Sequence, residues 1–481
     1  MRTRSERMAH TTDIRQWAWD EFGDAALGDR RRVTRLVDMA TRLAEHPGGR
    51  ISDVYLRAGE SQGAYDFVRN GAVSTGALTD AVATATARRC AGYERVLVPI
   101  DGSSLALTDN LERKGFGRLG TPKLTARGAV SGRGLKTMEA AAVGSDGAFL
   151  GLLDIQWWAR GPKLLRRFYR PIPQRETQRW IDAVLNAMRV LTAEAPSTRA
   201  CFVLDREGDC RHVLKALFDS DQEFIVRSKS DRRLVGTRLR LQEKVRHASV
   251  VGRYTLALPR TGTRAARTAH FEIRAARVTI WDRRRRANNP FQMPINVIRA
   301  RELTGRKQDR LKWTLLTNRP IDSFEEARSV VQDYTLRWRI EEFHRTWKSG
   351  HCNVEQNQLR HRDHVIRWAL IHVAVATRIE HLKGLSRANP DVRATEEFSR
   401  AELQALLLIR RHQRNSRDAL DLDAVTIQQA TRWVAELGGF MGGNRTAPGS
   451  ITLGRGLERL AYYTEAVTVA CDALQRTFRK R

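Results

Sequence analysis

Two short apolar runs in this chain each lead directly into an aspartate. Val-Leu-Val-Pro-Ile precedes Asp101, and Cys-Phe-Val-Leu precedes Asp205. Such runs predict buried strands, and similar runs at 136–143, 148–158 and 223–229 surround a helical pattern at 178–191. The order favours an α/β fold, with a mixed sheet covered by helices. An acid directly after a buried strand lies at the edge of the sheet, where α/β proteins place their sites.

The 481 residues are too many for one core, and roughly 100 to 200 residues per domain predicts two to four units. Helical patterns fill residues 12 to about 90 and return after about 390. Between them, residues 235–320 carry β-like runs and the basic segment Asp282–Arg286. We therefore predict an N-terminal helical domain at 1–75, an α/β domain at 76–390 with a basic β insertion at about 235–320, and a C-terminal helical domain at 391–481.

The charge balance favours a polyanionic partner. Lys and Arg number 84 against 54 Asp and Glu, a formal net charge of +30, and a field of this sign attracts nucleic acid. An alternative stays open, because 72 of the 84 cations are Arg, as a G+C-rich genome alone would produce. No apolar run approaches the roughly 20 residues that span a bilayer, and the N-terminus lacks a signal-peptide core. No membrane partner is expected.

Five cysteines show no CxxC pair and no zinc-ligand spacing. They are interpreted as reduced, buried thiols of a cytoplasmic protein.

One helix is predicted from the capping box at Ser323–Glu326 to about Gly350. At about 100° per residue, one arc of about 60° holds Tyr334, Arg337, Glu341 and Lys348, while an apolar stripe of Leu336, Ile340, Phe343 and Trp347 faces the sheet. Glu342 points about 100° away from Glu341, so Glu341 is the better candidate metal ligand. Ordinary helix ion pairs of Glu341 with Arg337 and Arg345 are the alternative.

The run Tyr-Thr-Leu-Arg-Trp-Arg-Ile-Glu-Glu-Phe-His-Arg-Thr-Trp-Lys at 334–348 resembles the signature of the DDE transposases of the insertion-sequence-four group, in the branch of the Tn-five transposase. Similar matches follow in order from residue 25 to residue 441, and they include Ile-Asp-Gly-Ser-Ser-Leu at 100–105, Gln-Trp-Trp at 156–158, Asp-Arg-Glu at 205–207 and Leu-Lys-Trp at 311–313. Two departures are the weaker similarity of the N-terminal region and the absence of tryptophans at 451–459.

The resemblance implies an RNase H-like catalytic domain whose acids Asp101, Asp205 and Glu341 bind two Mg²⁺ ions, with Mn²⁺ able to substitute. Oxygen donors are the ligands that Mg²⁺ prefers. The resemblance also implies DNA contacts by Trp313, Tyr334, Arg337, Lys348, Arg227, Arg345, Arg31 and Arg35. From the residues alone, Trp313 is interpreted as a core aromatic. Arg227 is equally a surface cation, and the run that holds Arg31 and Arg35 is equally a solvated helix face.

The implied activity is cut-and-paste transposition by a homodimer on double-stranded DNA, in the cytoplasm of a bacterium and associated with the nucleoid. The expected steps are recognition of the transposon end repeats, nicking, hairpin formation with a base stacked on Trp313, hairpin opening, and strand transfer into target DNA. Two alternatives stay open: an RNase H-like nuclease that cuts without joining, and a transposase-derived DNA-binding repressor. The repressor is disfavoured because all three acids are present.

Overall fold

The computed structural model describes the chain except residues 1–13, 110–112, 126–127, 162–169, 259–266, 283–290, 307, 309, 415–420, 443–446 and 480–481. The four arginines of the predicted basic segment, Arg283–Arg286, lie outside the described residues.

The described strands form one mixed sheet. They are β1 (Arg95–Ala106), β2 (Gly117–Thr125), β3 (Gly128–Gly144), β4 (Phe149–Trp158), β5 (Arg199–Leu204), β6 (Glu223–Arg227), β7 (Arg233–Leu234), β8 (Val250–Leu258), β9 (Arg267–Asp282), β10 (Phe291–Glu302) and β11 (Lys312–Thr317). The order is β2-β3-β1-β5-β6-β11-β10-β9-β7, with β4 beside β3 and β8 beside β9. Strands β1, β5 and β6 are parallel neighbours. The predicted α/β fold is confirmed, and the strands of the insertion extend the same sheet.

The described α-helices precede, cover and follow this sheet. They are α1 (Ile14–Phe22), α2 (Arg30–Glu45), α3 (Ile51–Val54), α4 (Ala58–Arg69), α5 (Thr75–Cys90), α6 (Glu176–Glu194), α7 (Arg211–Asp219), α8 (Leu241–Arg246), α9 (Phe324–Leu336), α10 (Trp338–Lys348), α11 (Arg362–Ala388), α12 (Arg400–Arg414), α13 (Ile427–Leu437) and α14 (Ser450–Arg479). The predicted capping box is present at the start of α9, where Ser323 and Glu326 exchange hydrogen bonds. Helical N-terminal and C-terminal regions agree with the prediction.

Two apolar cores lie on opposite faces of the sheet. One core joins the N-terminal helices, α9 to α11 and the C-terminal helices to one face. The other is formed by α6, α7 and α8 against the opposite face. The predicted stripe on α10 faces the sheet, because Phe343 stacks on Phe149 of β4 at 5.2 Å and Trp347 lies edge-on to Trp157 at 5.7 Å.

Three predictions about elements were wrong. The single helix predicted from 323 to 350 is broken at Arg337 into α9 and α10, since tight backbone bonds such as Arg337 N to Tyr334 O replace the α-helical pattern there. Asp101 does not end its strand, because β1 continues to Ala106 beside β3. Helix α11 was missed because its 27 residues are buried on nearly every side and its buried residues include charged ones such as Arg367, Glu380 and Lys383, so no amphipathic period marks them.

Among the described residues no helix is long and apolar enough to cross a membrane. The five cysteines carry free thiols; Cys90, Cys201 and Cys352 are buried as predicted, whereas Cys210 and Cys471 are only partly buried.

Candidate active site

The pairing of two parallel strands brings Asp101 and Asp205 to the same edge of the sheet. Ile100 on β1 lies opposite Leu204 on β5, so each aspartate follows a paired residue and the two backbones are about 5 Å apart. Each carboxylate is oriented by a backbone N–H group: Gly102 N donates to Asp101 at 2.9 Å and Glu207 N donates to Asp205 at 2.7 Å.

Glu341 reaches the same place from the first turn of α10, and Arg337 connects it to β1. The Arg337 side chain is 10% exposed; it donates to Glu341 and lies 3.4 Å from the Asp101 carboxylate through Nη1. The predicted helix ion pair of Glu341 with Arg337 therefore exists. The Arg337 side chain also reaches Asp101, so its guanidinium lies between two candidate metal ligands.

The pKa of Asp101 is raised to about 6, chiefly by burial; His344 and Arg337 oppose this shift, and the carboxylates of Asp205 and Glu341 add to it. A carboxylate in this setting is stabilised by any additional cation.

The acid next to Glu341 has a different environment. Glu342 pairs with Arg339 at 2.8 Å and lies 3.3 Å from the buried ammonium of Lys383 on α11. This arrangement agrees with the predicted separation of the two acids on the helix. Glu342 ties α10 to α11, whereas Glu341 faces the aspartates.

Trp313 and Tyr334 belong to an aromatic cluster beside the three acids. Trp313 on β11 stacks on Phe271 of β9 with ring centroids 5.5 Å apart, and the ring of Tyr334 lies edge-on to it at 5.8 Å. Tyr334 is 5% exposed, and its hydroxyl is hydrogen-bonded to Arg227 at the end of β6. In this structure Trp313 packs against other rings and is partly exposed.

Two lysines contact the serines that follow Asp101 on β1. Lys348 Nζ donates to Ser103 Oγ at 3.2 Å, and Lys136 Nζ donates to Ser104 Oγ at 2.8 Å. Side chains alternate between the faces of a strand, so Ser103 shares the face of Asp101, whereas Ser104 and Lys136 lie on the other face. Burial lowers the pKa of Lys136. Lys348 was singled out from its place on the helix, whereas Lys136 was not, because a lysine within a strand gives no distinctive signal.

Glu139 was also missed by sequence reasoning. It lies directly opposite Asp101 on β3, is fully buried, and has an oxygen 3.3 Å from Nε2 of His344 on α10. An acid inside the apolar run Met138–Ala142 was the available signal, since carboxylates are rarely buried without a partner. Glu139 and His344 hold α10 against β3 behind the three acids.

Two family models match the chain. Residues 14–73 match the model for transposase DNA-binding, and residues 187–378 match the model for the transposase DDE domain. The chain contains a transposase DDE domain. Together the two matches support a DNA transposase.

The DDE-domain match contains Asp205 and Glu341 but begins after Asp101. Strand β1 nevertheless pairs with β5 inside the matched region. Asp101 therefore lies beside the matched region although it precedes Asp205 by about a hundred residues, placed there by the sheet and not by proximity in sequence.

The remaining predicted DNA contacts lie outside this cluster. Arg345 is exposed on α10. Arg31 and Arg35 are exposed on α2, within the transposase DNA-binding match. Their proposed contacts with DNA stay predictions.

DDE domains generally depend on divalent metals, and the donor set here suits one. Three carboxylates supply the oxygen atoms that Mg²⁺ prefers, and burial of Asp101 favours a cation beside it. Within the part of the chain that the structure describes, no group of three or more His, Cys, Asp or Glu side chains is close enough to hold an ion. Arg337 lies between Asp101 and Glu341, so metal binding requires these carboxylates to exchange this partner.

Proposed function

We propose that the protein is a cut-and-paste DNA transposase of the insertion-sequence-four group, in the Tn-five branch. It would bind the end repeats of its element, nick the DNA, form and open a hairpin, and join the freed end to target DNA. The proposal is supported by the neighbouring positions of Asp101 and Asp205 on β1 and after β5, and by Arg337, which contacts both Asp101 and Glu341. We further propose a homodimer in the bacterial cytoplasm, with DNA-end binding at 1–75, catalysis at 76–390 and dimerisation at 391–481.

Asp101, Asp205 and Glu341 would hold two Mg²⁺ ions. When bound, such ions activate the attacking oxygen and neutralise charge on the phosphate. In each step the attacking water or 3′-hydroxyl loses a proton and forms a new P–O bond, and the bond from phosphorus to the leaving 3′-oxygen breaks. Arg337, Lys348 and Arg227 would orient the phosphate. Arg337 contacts Asp101 and Glu341, Lys348 contacts Ser103 on β1, and Arg227 contacts Tyr334.

Covalent joining of the cleaved DNA end to target DNA distinguishes a transposase from a nuclease. The protein is incubated with labelled duplexes that carry the inverted repeats flanking its gene, Mg²⁺ and a supercoiled target plasmid. A transposase produces label covalently attached to the plasmid. Cleaved ends without attached label would establish a nuclease, and binding without cleavage would establish a repressor.

Trp313→Ala should lower the rate of hairpin formation about 5- to 100-fold with end binding nearly unchanged, since stacking of one base on an aromatic ring contributes roughly 1–3 kcal/mol. Gel analysis of hairpin product measures this rate. Trp313→Phe should retain most of it. Phe271→Leu is the packing control, because Phe271 is fully buried beneath Trp313; an equal loss in Phe271→Leu would assign the effect to packing.

Asp101→Asn should stabilise the metal-free protein by about 1–3 kcal/mol at pH 7.5. Burial raises the pKa of Asp101 in the folded protein to about 6, whereas in the unfolded chain this carboxyl ionises at about pH 4. The wild-type protein therefore loses stability as the pH rises from about 4 to about 6, and the neutral amide of the variant avoids this loss. The difference in free energy of unfolding between variant and wild type should be smaller at pH 5 than at pH 7.5, as measured by denaturant unfolding at the two pH values. Mg²⁺ should raise the melting temperature of the wild-type protein more than that of the variant; equal responses would contradict Asp101 as a ligand.

A further inference from the structure

Five cations gather on one face of the insertion sheet, and we call them the insertion cluster. They come from four elements, namely α8, β9, β10 and β11: Arg246, Arg274, Arg299, Arg301 and Lys312. The cluster lies apart from the three acids and from the residues that sequence analysis assigned to DNA contacts.

Strand register places these cations side by side. Arg274 on β9 lies directly opposite Arg299 on β10, and Arg301 on β10 lies directly opposite Lys312 on β11. Side chains alternate between the faces of a sheet, so Trp313 projects from the other face. Like charges directly opposite one another destabilise a sheet. Two such pairs in adjacent strands do not stabilise the fold, and they indicate that these cations serve to bind a ligand.

One carboxylate, that of Glu272, forms ion pairs with several arginines of this sheet face. Glu272 on β9 is buried, and its oxygens lie 3.0 Å from Arg274, 3.3 Å from Arg301 and 3.4 Å from Arg253. A single negative charge shared by three arginines leaves the cluster strongly positive.

Arg299 is the most informative member. It is 8% exposed, and its side chain has no hydrogen bond or ion pair with any residue in the described part of the chain. Burial lowers its pKa, and the charges of Arg246, Arg301 and Arg274 act in the same direction. A guanidinium that pairs with no acid and has three other arginines as neighbours is repelled by them. An anion bound here would relieve this repulsion.

The space beside Arg299 suits one phosphate group. A cavity of about 150 Å³ is lined by Arg246, Glu272, Arg274, Arg299 and Arg301. Arginine donors match phosphate oxygens in geometry and charge.

We propose that the insertion cluster binds a phosphate of a DNA backbone, an assignment that rests on the proposed function and extends the DNA path to the sheet face opposite Trp313. A DNA strand is favoured over a small anion because the cations span three neighbouring strands, β9 to β11, and helix α8. At about 5 Å between strands the cluster extends about 10 Å across the sheet, which is wider than a single phosphate group.

The test removes two exposed members of the cluster. Arg246 and Lys312 lie on the surface, so Arg246→Ala/Lys312→Ala should leave the fold intact. Arg393→Ala/Arg455→Ala removes the same charge from exposed positions in the C-terminal helical region. Affinity of the full-length protein for a labelled mixed-sequence duplex is measured by fluorescence anisotropy at several salt concentrations. The cluster variant should lower the slope of log affinity against log salt by about 1 to 2 and weaken binding on the order of tenfold, whereas the control changes both much less.

Two outcomes would overturn the proposal. Equal losses in the cluster and control variants would show a general effect of net charge. Unchanged DNA binding, with inorganic phosphate raising the melting temperature of the wild-type protein alone, would show a small-anion site. Failure of the proposed function looks different, because the wild-type protein itself would then not bind the duplex or would not join it to the plasmid. If the wild-type protein binds the duplex and the cluster variant binds it with the same affinity and salt dependence, only the role of the insertion cluster is contradicted, and the proposed function stands.

Discussion

Amide substitutions of the three acids should each lower DNA strand cleavage about a thousandfold or more. Asp101→Asn, Asp205→Asn and Glu341→Gln preserve size but remove the charge that would hold a divalent ion, and several kcal/mol of transition-state stabilisation corresponds to at least three orders of magnitude. Release of labelled product from paired ends measures the rate. Binding of the ends should persist, since the amides leave the surrounding cations in place.

Neighbouring acids supply the matched controls. Glu342→Gln alters the residue next to Glu341, but its carboxylate faces Arg339 and Lys383. Glu207→Gln alters an exposed acid two residues after Asp205. Both should cleave within a few fold of the wild-type rate. Wild-type cleavage by any one triad variant would remove that acid from the site, and a large loss in both controls would indicate a nonspecific effect of charge.

Lys383→Met should lower the free energy of unfolding by about 3–5 kcal/mol, because it removes the cation from a buried pair. Lys383 is 3% exposed; its ammonium contacts Glu380, donates to Ser450 at 2.9 Å and lies 3.3 Å from Glu342. Without it, Glu380 is left as a buried carboxylate that only hydroxyl groups contact. Urea unfolding measures the loss.

Lys215→Met is the control for this prediction. Lys215 pairs with Asp219 one turn later, but both side chains are about half exposed, so the change should stay within about 0.5 kcal/mol. Lys383→Met/Glu380→Gln should recover part of the loss, because it neutralises the orphaned acid while keeping an oxygen for Thr346 and Ser450. A loss below about 1 kcal/mol in Lys383→Met would contradict the assignment of Lys383 as the link between α10, α11 and α14.

The part of the site that could be predicted has a local signature. An apolar run that ends in an acid identified Asp101 and Asp205, and helical periodicity separated Glu341 from Glu342. Each signal depends on a few consecutive residues whose geometry the backbone fixes. The roles of these residues in catalysis and DNA binding stay predictions.

The parts that were missed depend on contacts between distant segments. Helix α11 is buried on nearly all sides, so its sequence lacks the polar face that marks a surface helix. Glu139 comes to lie opposite Asp101 and beside His344 only in the folded chain, when β3 pairs with β1 and α10 packs against them. The break at Arg337 likewise accompanies contacts with both Glu341 and Asp101, and the second of these lies far away in the chain.

The position of Arg337 between Asp101 and Glu341 preorganises these two acids before DNA is bound. The guanidinium pairs with two acids from distant segments and holds them near each other in the DNA-free chain. Much of the entropic cost of bringing them together is therefore met during folding and not at each encounter with DNA. Under the proposed function, a divalent ion that replaced Arg337 at the carboxylates would free its guanidinium for an incoming phosphate. Activation would then be an exchange of partners among groups already in place.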